Sequence, residues 1–125
     1  MRLFRFIATF VIITLFLVAC TSPSKITIVE MENFQKTKAN TTVEITDEEE
    51  IDVILQAVKN ATKDPGTVDI AEPEYKFEYG QKSYFLWIQA STGTIMKTSN
   101  TNTTYTLDMG DSDQFFEIIT RHYGE

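Results

Sequence analysis

YKFEYGQKSYFLWIQ, residues 75–89, predicts the central hairpin around which the rest of the chain folds. Its first five residues alternate aromatic and charged side chains, and this period of two is typical of a half-buried strand. Gly80-Gln81 can form a two-residue hairpin loop, after which residues 82–89 are nearly all apolar, as in a central strand. The resulting register predicts that Phe85 and Trp87 share one sheet face. The opposite face is predicted to carry Tyr75, Phe77, Tyr79, Tyr84, Leu86 and Ile88.

Two more strands and a helix are predicted after this hairpin. A four-residue loop over 90–93 sets Met96 opposite Trp87, and a tight turn near residue 100 brings Tyr105 beside Met96. The apolar residues near the end of the chain follow helical spacing, and Asp111 is the expected N-cap residue of that helix.

A strand and a helix are predicted before the hairpin. KITIVEM, residues 25–31, is rich in β-branched residues and predicts a strand, and residues 43–45 predict a shorter one. A helix follows, capped by Thr46 or Asp47 and ended by Asp64-Pro65-Gly66. Its spacing predicts one buried stripe, which consists of Ile51, Ile54, Leu55, Val58 and Ala61.

Strands grouped together, with helices set apart from them, predict the α+β class. We expect an antiparallel sheet of about four to five strands with two helices, in the order β-α-β-β-β-β-α. The expected domain is single and covers residues 26–125, a length that suits one modest core.

The first 19 residues have the features of a lipoprotein signal peptide. Arg2 and Arg5 form a basic start, residues 6–17 form an apolar run, and Leu17-Val18-Ala19-Cys20 resembles a lipobox. We predict that this leader is removed and that Cys20 is lipidated with diacylglycerol and palmitate-type chains, while residues 20–25 form a short tether. The predicted location is the extracytoplasmic face of a bacterial cell membrane.

The charge balance limits the partners of the chain. The formal net charge is −7, and it becomes −9 when Arg2 and Arg5 leave with the leader and no acid does. Nucleic-acid binding relies on lysine and arginine, so no nucleic-acid partner is expected. Docking to anionic lipid uses basic clusters, so the covalent lipid alone is expected to hold the chain at the membrane.

The sequence offers few groups for catalysis or for metal binding. Cys20 is the only cysteine, which rules out a disulfide within the chain. His122 is the only histidine, and its position suits interaction with a helix end better than a catalytic role. The acids at 108–113 fall short of a calcium loop. We therefore predict no catalytic residue, no metal and no cofactor other than the covalent lipid, and these absences favour a non-enzymatic role over an enzymatic one.

The predicted sheet has two apolar faces, but only two helices are available to cover them. In one alternative, the helices and the first strand cover both faces. In the other, part of one face is a binding surface, formed by Phe85, Trp87, Met96 and Tyr105.

Several motifs resemble the YhfM-like domain of small lipoproteins from spore-forming Gram-positive bacteria. They are Pro73-Glu74-Tyr75, the apolar run 84–88, Gly93-Thr94-Ile95-Met96, and NTTYTL at 102–107. The resemblance spans about residues 43–119 and implies a location on the outer leaflet of a plasma membrane. It implies no activity, and no functional residue is carried over from it.

These observations predict a membrane-anchored, non-enzymatic binding or accessory module of the cell envelope, acting on another envelope protein. The alternative is a cell-wall enzyme or enzyme inhibitor that uses surface carboxylates, because paired carboxylates can perform glycoside chemistry. The carboxylates considered for that role are Glu72, Glu74 and Glu78.

Overall fold

A computed structural model describes residues 23–66 and 69–124 of the chain. The fold is α+β, as predicted, but the sheet has seven strands instead of four or five. The strands are β1 (Ile26–Glu30), β2 (Val43–Ile45), β3 (Thr62–Lys63), β4 (Tyr75–Tyr79), β5 (Lys82–Gln89), β6 (Thr92–Lys97) and β7 (Tyr105–Thr106), and the helices are α1 (Glu48–Asn60) and α2 (Met109–Tyr123). The predicted leader and Cys20 lie outside the described residues.

The strands form one antiparallel sheet in the order β2-β1-β4-β5-β6-β7-β3. The predicted register of the central hairpin is confirmed, because Tyr79 lies opposite Lys82 and Phe77 lies opposite Tyr84. Gly80 in the turn has a φ of 57°, the left-handed conformation that a tight hairpin turn requires. The prediction did not include β3, since two residues are too few to show a period.

Both helices pack on one side of the sheet, which we call the helix face. Asn60 at the end of α1 donates to Asp111 near the start of α2, and Arg121 near the end of α2 contacts Glu50 near the start of α1. The two helices are therefore antiparallel. The buried core between them and the sheet includes Ile51, Ile54, Ala57, Phe77, Leu86, Ile95, Phe115, Ile118 and Ile119.

The buried stripe of α1 differs slightly from the predicted one. Ile51, Ile54 and Ala57 are buried, whereas Leu55 is only partly buried. Consecutive residues of a helix point about 100° apart, so Leu55 lies at the rim of a stripe that is centred on Ile54. The capping residue of α1 is Asp47, whose Oδ2 accepts from the Glu50 amide at 3.1 Å.

Helix α2 begins three residues earlier than predicted. Asp108 is the N-cap residue, and its Oδ2 accepts from the Gly110 amide at 3.1 Å, so the prediction of Asp111 was wrong. The earlier start places buried Ser112 against β6, where a Cβ on Gly93 would lie 3.1 Å from the Ser112 hydroxyl. Gly93 therefore allows the close approach of helix and sheet. None of the helices in the described ranges is long and apolar enough to span a membrane.

Candidate binding cleft

The sheet face opposite the helices, which we call the far face, is covered by connecting segments. Met31, Phe85 and Met96 are buried there, and Phe34 from the connection after β1 packs over them. The Phe34 ring meets Phe85 edge-on, with 5.4 Å between the ring centroids, and lies 6.1 Å from the ring of Trp87. A second covering segment, residues 69–74, contributes Ile70 to the same cluster.

Three of the four residues predicted to form a binding surface share the far face. The turn between β5 and β6 is two residues shorter than predicted, so Met96 lies opposite Phe85, and Trp87 lies opposite Thr94. A shift of two residues keeps every side chain on its face, because side chains alternate with a period of two. Phe85, Trp87 and Met96 are therefore brought together, although in a different register.

Tyr105 is on the other side of the sheet. It lies opposite Ile95, one residue away from the predicted Met96, and a one-residue slip moves a side chain to the opposite face. Tyr105 packs beside the helix-face core, with the Lys97 ammonium 5.9 Å from its ring centroid. The prediction that Tyr105 adjoins Met96 was wrong.

Trp87 fixes one of the covering segments in place. The indole is partly buried. Its Nε1 lies 2.9 Å from the Ala71 carbonyl oxygen and 3.0 Å from the Glu72 carbonyl oxygen, and its N–H donates to both. The Glu72 carboxylate in turn accepts from the Phe34 amide at 3.0 Å. These bonds join the two covering segments to each other and to β5.

A cleft of about 480 Å³ lies between these segments and the sheet. Phe85 and Met96 form its floor, and Phe34 and Ile70 form its apolar walls. Its volume falls in the range of small-molecule pockets, which is about 300–1,000 Å³. The polar lining is supplied by Gln35, Asp69, Thr98 and Thr101.

The sequence offered only a weak signal for the covering residues. Phe34 is the single apolar side chain in the polar run 32–38. Ile70 lies between Asp69 and Glu72, and the small Ala71 is the other apolar residue between these two acids. A lone apolar residue forms no periodic pattern. Its presence in a polar connection could nevertheless have indicated that the side chain is buried, and so could have identified both walls of the cleft. The four polar lining residues carry no signal of their own.

The carboxylates considered for catalysis have structural partners. Glu72 accepts from the Phe34 amide, Glu74 Oε1 accepts from the Ile88 amide at 3.1 Å, and Glu78 pairs with Lys76 at 3.3 Å. In the part of the chain that the structure describes, no group of three or more His, Cys, Asp or Glu side chains could hold a metal ion.

His122 belongs to a polar contact between the two helices. Its Nε2 lies 3.1 Å from Glu50 Oε1, and Arg121 Nη1 donates to Glu50 Oε2 at 2.7 Å. The Glu50 side chain is only 12% exposed, so this contact lies against the core. His122 thus lies in the last turn of α2, as predicted, where it contacts the acidic first turn of α1.

Two tyrosines on the helix face have perturbed acidity. Burial and, to a lesser extent, the nearby Glu30 charge together raise the pKa of Tyr123 to about 12. Its hydroxyl donates to the Thr41 carbonyl oxygen at 2.8 Å. Burial also raises the pKa of Tyr79 far above its ordinary value, with Tyr84 adding to the effect. Both phenols are therefore neutral at physiological pH.

The comparisons with known proteins place the chain in a family. Neither a search of curated proteins nor a search of solved structures gave a match. A family model described as "YhfM protein" matches residues 25–124, which extends the predicted resemblance over β1 and the end of α2. The chain therefore belongs to the YhfM protein family.

Proposed function

We propose that this chain is a lipid-anchored binding module on the extracytoplasmic face of the cell membrane. Its far-face cleft takes a small, partly apolar ligand that carries no negative charge. The observation that carries the proposal is the cleft, whose apolar floor and walls adjoin four polar side chains. Ligand pockets typically combine such an apolar lining with a few polar groups that orient the ligand.

The support for the anchor comes from the sequence. The basic start, the apolar run and the sequence Leu17-Val18-Ala19-Cys20 are features of a lipoprotein leader. The first described strand begins at Ile26, only a few residues beyond Cys20. The folded domain would therefore be held close to the bilayer.

The support for a ligand site is that specific bonds fix the positions of the two segments that form the cleft walls. Trp87 holds residues 71–72 through its indole N–H, and Glu72 holds the Phe34 amide. The cleft is therefore a formed feature of the fold, and a ligand would not need to open it.

The charge of the lining defines the ligand class. Asp69 is the only ionisable side chain among the described residues that line the cleft. A carboxylate repels an anionic ligand and attracts a cationic one. The apolar floor favours a ring or a short aliphatic group, so we infer a neutral or cationic ligand with an apolar part.

A small ligand agrees better with this geometry than the expected envelope protein does, because the far face is a cleft bounded by two segments instead of a flat apolar surface. The carboxylate enzyme or inhibitor has less support, because Glu72, Glu74 and Glu78 already bind backbone amides or Lys76. We therefore propose one function, ligand binding at the cleft.

The methionine methyl groups provide a direct test. Met96 lies on the cleft floor, whereas Met109 is 66% exposed on α2 and serves as an internal control. We expect benzamide and benzylamine to shift the Met96 methyl resonance in carbon-13 labelled protein, and benzoate to shift it much less. Equal shifts at Met96 and Met109, or tighter binding of benzoate than of benzylamine, would contradict the proposal.

A further inference from the structure

A hollow where β5 begins and β6 ends has a lining unlike the rest of this acidic chain. Its volume is about 260 Å³, and we call it the lysine hollow. It is lined by Gln81, Lys82, Ser83, Tyr84, Lys97, Thr98 and Ser99. Each of these side chains carries a hydrogen-bond donor, and none is a carboxylate. A lining of donors that includes two positive charges favours an anion.

The pairing of β5 with β6 brings the two lysines to the same face of the sheet. Tyr84 belongs to the helix-face core and lies opposite Lys97. Lys82 precedes Tyr84 by two residues, so strand alternation places it on the helix face as well. Lys82 and Lys97 are therefore diagonal neighbours, which are typically about 7–8 Å apart. Their flexible side chains can both reach one anion between them.

Neither lysine of the hollow has a carboxylate partner among the described residues. The lysines that form ion pairs there are Lys25, Lys36 and Lys76. The Lys82 ammonium lies 5.9 Å from the centroid of the Tyr79 ring, and the Lys97 ammonium lies 5.9 Å from that of Tyr105. A ring face attracts an ammonium group but takes up none of its strong donors, so the N–H groups of both lysines remain available to a ligand.

A neighbouring hollow of about 280 Å³ adds a third lysine. It shares Tyr84 and Lys97 with the lysine hollow and includes Lys59 from the last turn of α1. The rest of its lining carries no carboxylate either, and consists of Val58, Ala61, Ile95 and Tyr105. Tyr84 is only 5% exposed and is common to both hollows, so three lysines surround a buried floor.

The exposed acids at the start of α1 belong to the same end of the sheet but lie across it. Ile45 in β2 pairs with Ile26, and residues 47–49 follow β2 directly. Strands are spaced by about 4.8 Å, so β2 lies about 14 Å from β5 and about 19 Å from β6. Both separations exceed the screening length of about 8 Å at physiological ionic strength. Asp52, also exposed on α1, lines neither hollow.

We propose that the lysine hollow binds the phosphate group of a small, water-soluble ligand. A phosphate group offers more oxygen acceptors than a carboxylate does, and it carries about −1.5 to −2 charge at pH 7. Lys82 and Lys97 match this charge, and the hydroxyl and amide groups of the lining match the additional oxygens.

A soluble phosphate fits this site better than an anionic membrane or a long polyanion does. A membrane surface that reached the lysine hollow from this end of the sheet would also approach the acids at residues 47–49, which repel anionic headgroups. A long polyanion would encounter the formal net charge of −7 over the rest of the chain. A single phosphate group contacts the hollow alone.

The lysine hollow is distinct from the far-face cleft. Lys82 and Lys97 lie on the helix face, whereas the floor of the cleft lies on the far face. Thr98 lines both, so the two sites adjoin at the end of β6. Asp69 lines the cleft and two lysines line the hollow, so the sites select ligands of opposite charge. Phosphate binding therefore does not depend on ligand binding at the cleft.

The test uses the full chain, labelled with nitrogen-15, in micelles of dodecyl maltoside, an uncharged detergent without phosphate. Inorganic phosphate, glycerol 3-phosphate and acetate are titrated at constant ionic strength. The amide resonances of Ser83 and Ser99 report on the lysine hollow, and that of Ser91, at the other end of β5 and β6, is the internal control. We expect both phosphates to give a saturable shift at Ser83 and Ser99 but not at Ser91, with at least roughly tenfold weaker binding of acetate.

The double variant Lys82→Gln, Lys97→Gln should weaken phosphate binding at least roughly tenfold. The matched control Lys36→Gln, Lys38→Gln has the same charge change in the connection between β1 and β2, and it should bind phosphate as the parent chain does. All four lysines are exposed, so none of them supports the core. Absence of a saturable shift, equal affinity for acetate and phosphate in the parent chain, or equal loss in the two double variants would overturn the site.

Phosphatidylglycerol added to the micelles distinguishes a soluble ligand from a lipid headgroup. We expect it to leave the Ser83 and Ser99 resonances in place at concentrations where glycerol 3-phosphate shifts them. A larger shift with phosphatidylglycerol than with glycerol 3-phosphate would assign the lysines to the membrane surface and would overturn the proposal of a soluble phosphate.

Discussion

Replacing Trp87 by phenylalanine tests whether the far face is held by the bonds described above. Phenylalanine keeps an aromatic ring that can pack against Phe34, but it removes the indole N–H that donates to the Ala71 and Glu72 carbonyls. Both of these residues are exposed, so water can satisfy the released carbonyls. Trp87→Phe therefore isolates the contribution of the hydrogen bonds.

The expected loss in the free energy of unfolding follows from the hydrogen bonds and contacts of the indole ring. A hydrogen bond of this kind contributes about 0.5–1.5 kcal/mol to the free energy of unfolding. Because water can hydrate the released carbonyls, the loss should lie in the lower part of this range, and Trp87→Phe should lower the free energy of unfolding by about 1 kcal/mol. Trp87→Ala also removes the contact with Phe34 and the buried ring area. Truncation of a fully buried aromatic residue to alanine lowers the free energy of unfolding by about 3–5 kcal/mol. Trp87 is only partly buried, so Trp87→Ala should lower it by about 2–3 kcal/mol.

Urea unfolding followed by circular dichroism measures both losses, because removal of the only tryptophan prevents the use of its fluorescence. Amide hydrogen exchange over residues 69–74 gives the local effect, and Trp87→Phe should accelerate exchange there more than in α1. Equal losses for Trp87→Phe and Trp87→Ala, or unchanged exchange in residues 69–74, would refute the role of the indole N–H in holding the cleft wall.

Four further substitutions test other parts of the chain. The buried Ser112 hydroxyl has no hydrogen-bond partner among the described residues, so Ser112→Ala should raise the free energy of unfolding by up to about 1 kcal/mol. Gly93→Ala should lower the free energy of unfolding by about 1–3 kcal/mol, because its Cβ would lie 2.7 Å from Leu107. The urea midpoints of the two variants test both predictions. Tyr123 has a pKa raised from 10.0 to about 12, so its contribution to stability is complete below pH 10 and is lost as the pH rises through 12. The thermal stability of Tyr123→Phe should therefore depend less on pH between 10 and 12 than that of the parent chain. An unchanged pH dependence would contradict the raised pKa of Tyr123. Cys20→Ala should abolish labelling by a fatty-acid analogue, and persistent label would show that the lipobox interpretation is wrong.

The central hairpin could be predicted from the sequence because two local signals agree there. The alternation of aromatic and charged residues in β4 sets the face of each side chain, and Gly80 marks the turn. The next turn was misplaced because Gly93 was taken as part of the loop. Gly93 lies within β6, where its missing side chain makes room for Leu107 and Ile88, while Ser91 adopts the left-handed conformation in the turn with a φ of 64°.

The far face could be predicted only in part. Phe85, Trp87 and Met96 share it because strand alternation survives a two-residue error in register, whereas Tyr105 was assigned to it through a one-residue error that reverses the face. The coverage of this face depends on Phe34, whose position is set by contacts with distant parts of the chain. Periodicity carries no information on such contacts, so the cleft became visible only in three dimensions.

Ligand binding at the cleft can be tested by comparing the affinities of two tryptophan variants for benzamide, each measured by titration of the Met96 methyl resonance. Thr101→Trp places a bulky ring at the cleft rim, and Thr42→Trp places the same ring at an exposed position before β2. We predict that Thr101→Trp weakens binding by at least roughly tenfold, about 1.4 kcal/mol, and that Thr42→Trp binds as the parent chain does. Equal affinity in the two variants, or no titration of Met96 in the parent chain, would contradict ligand binding at the cleft.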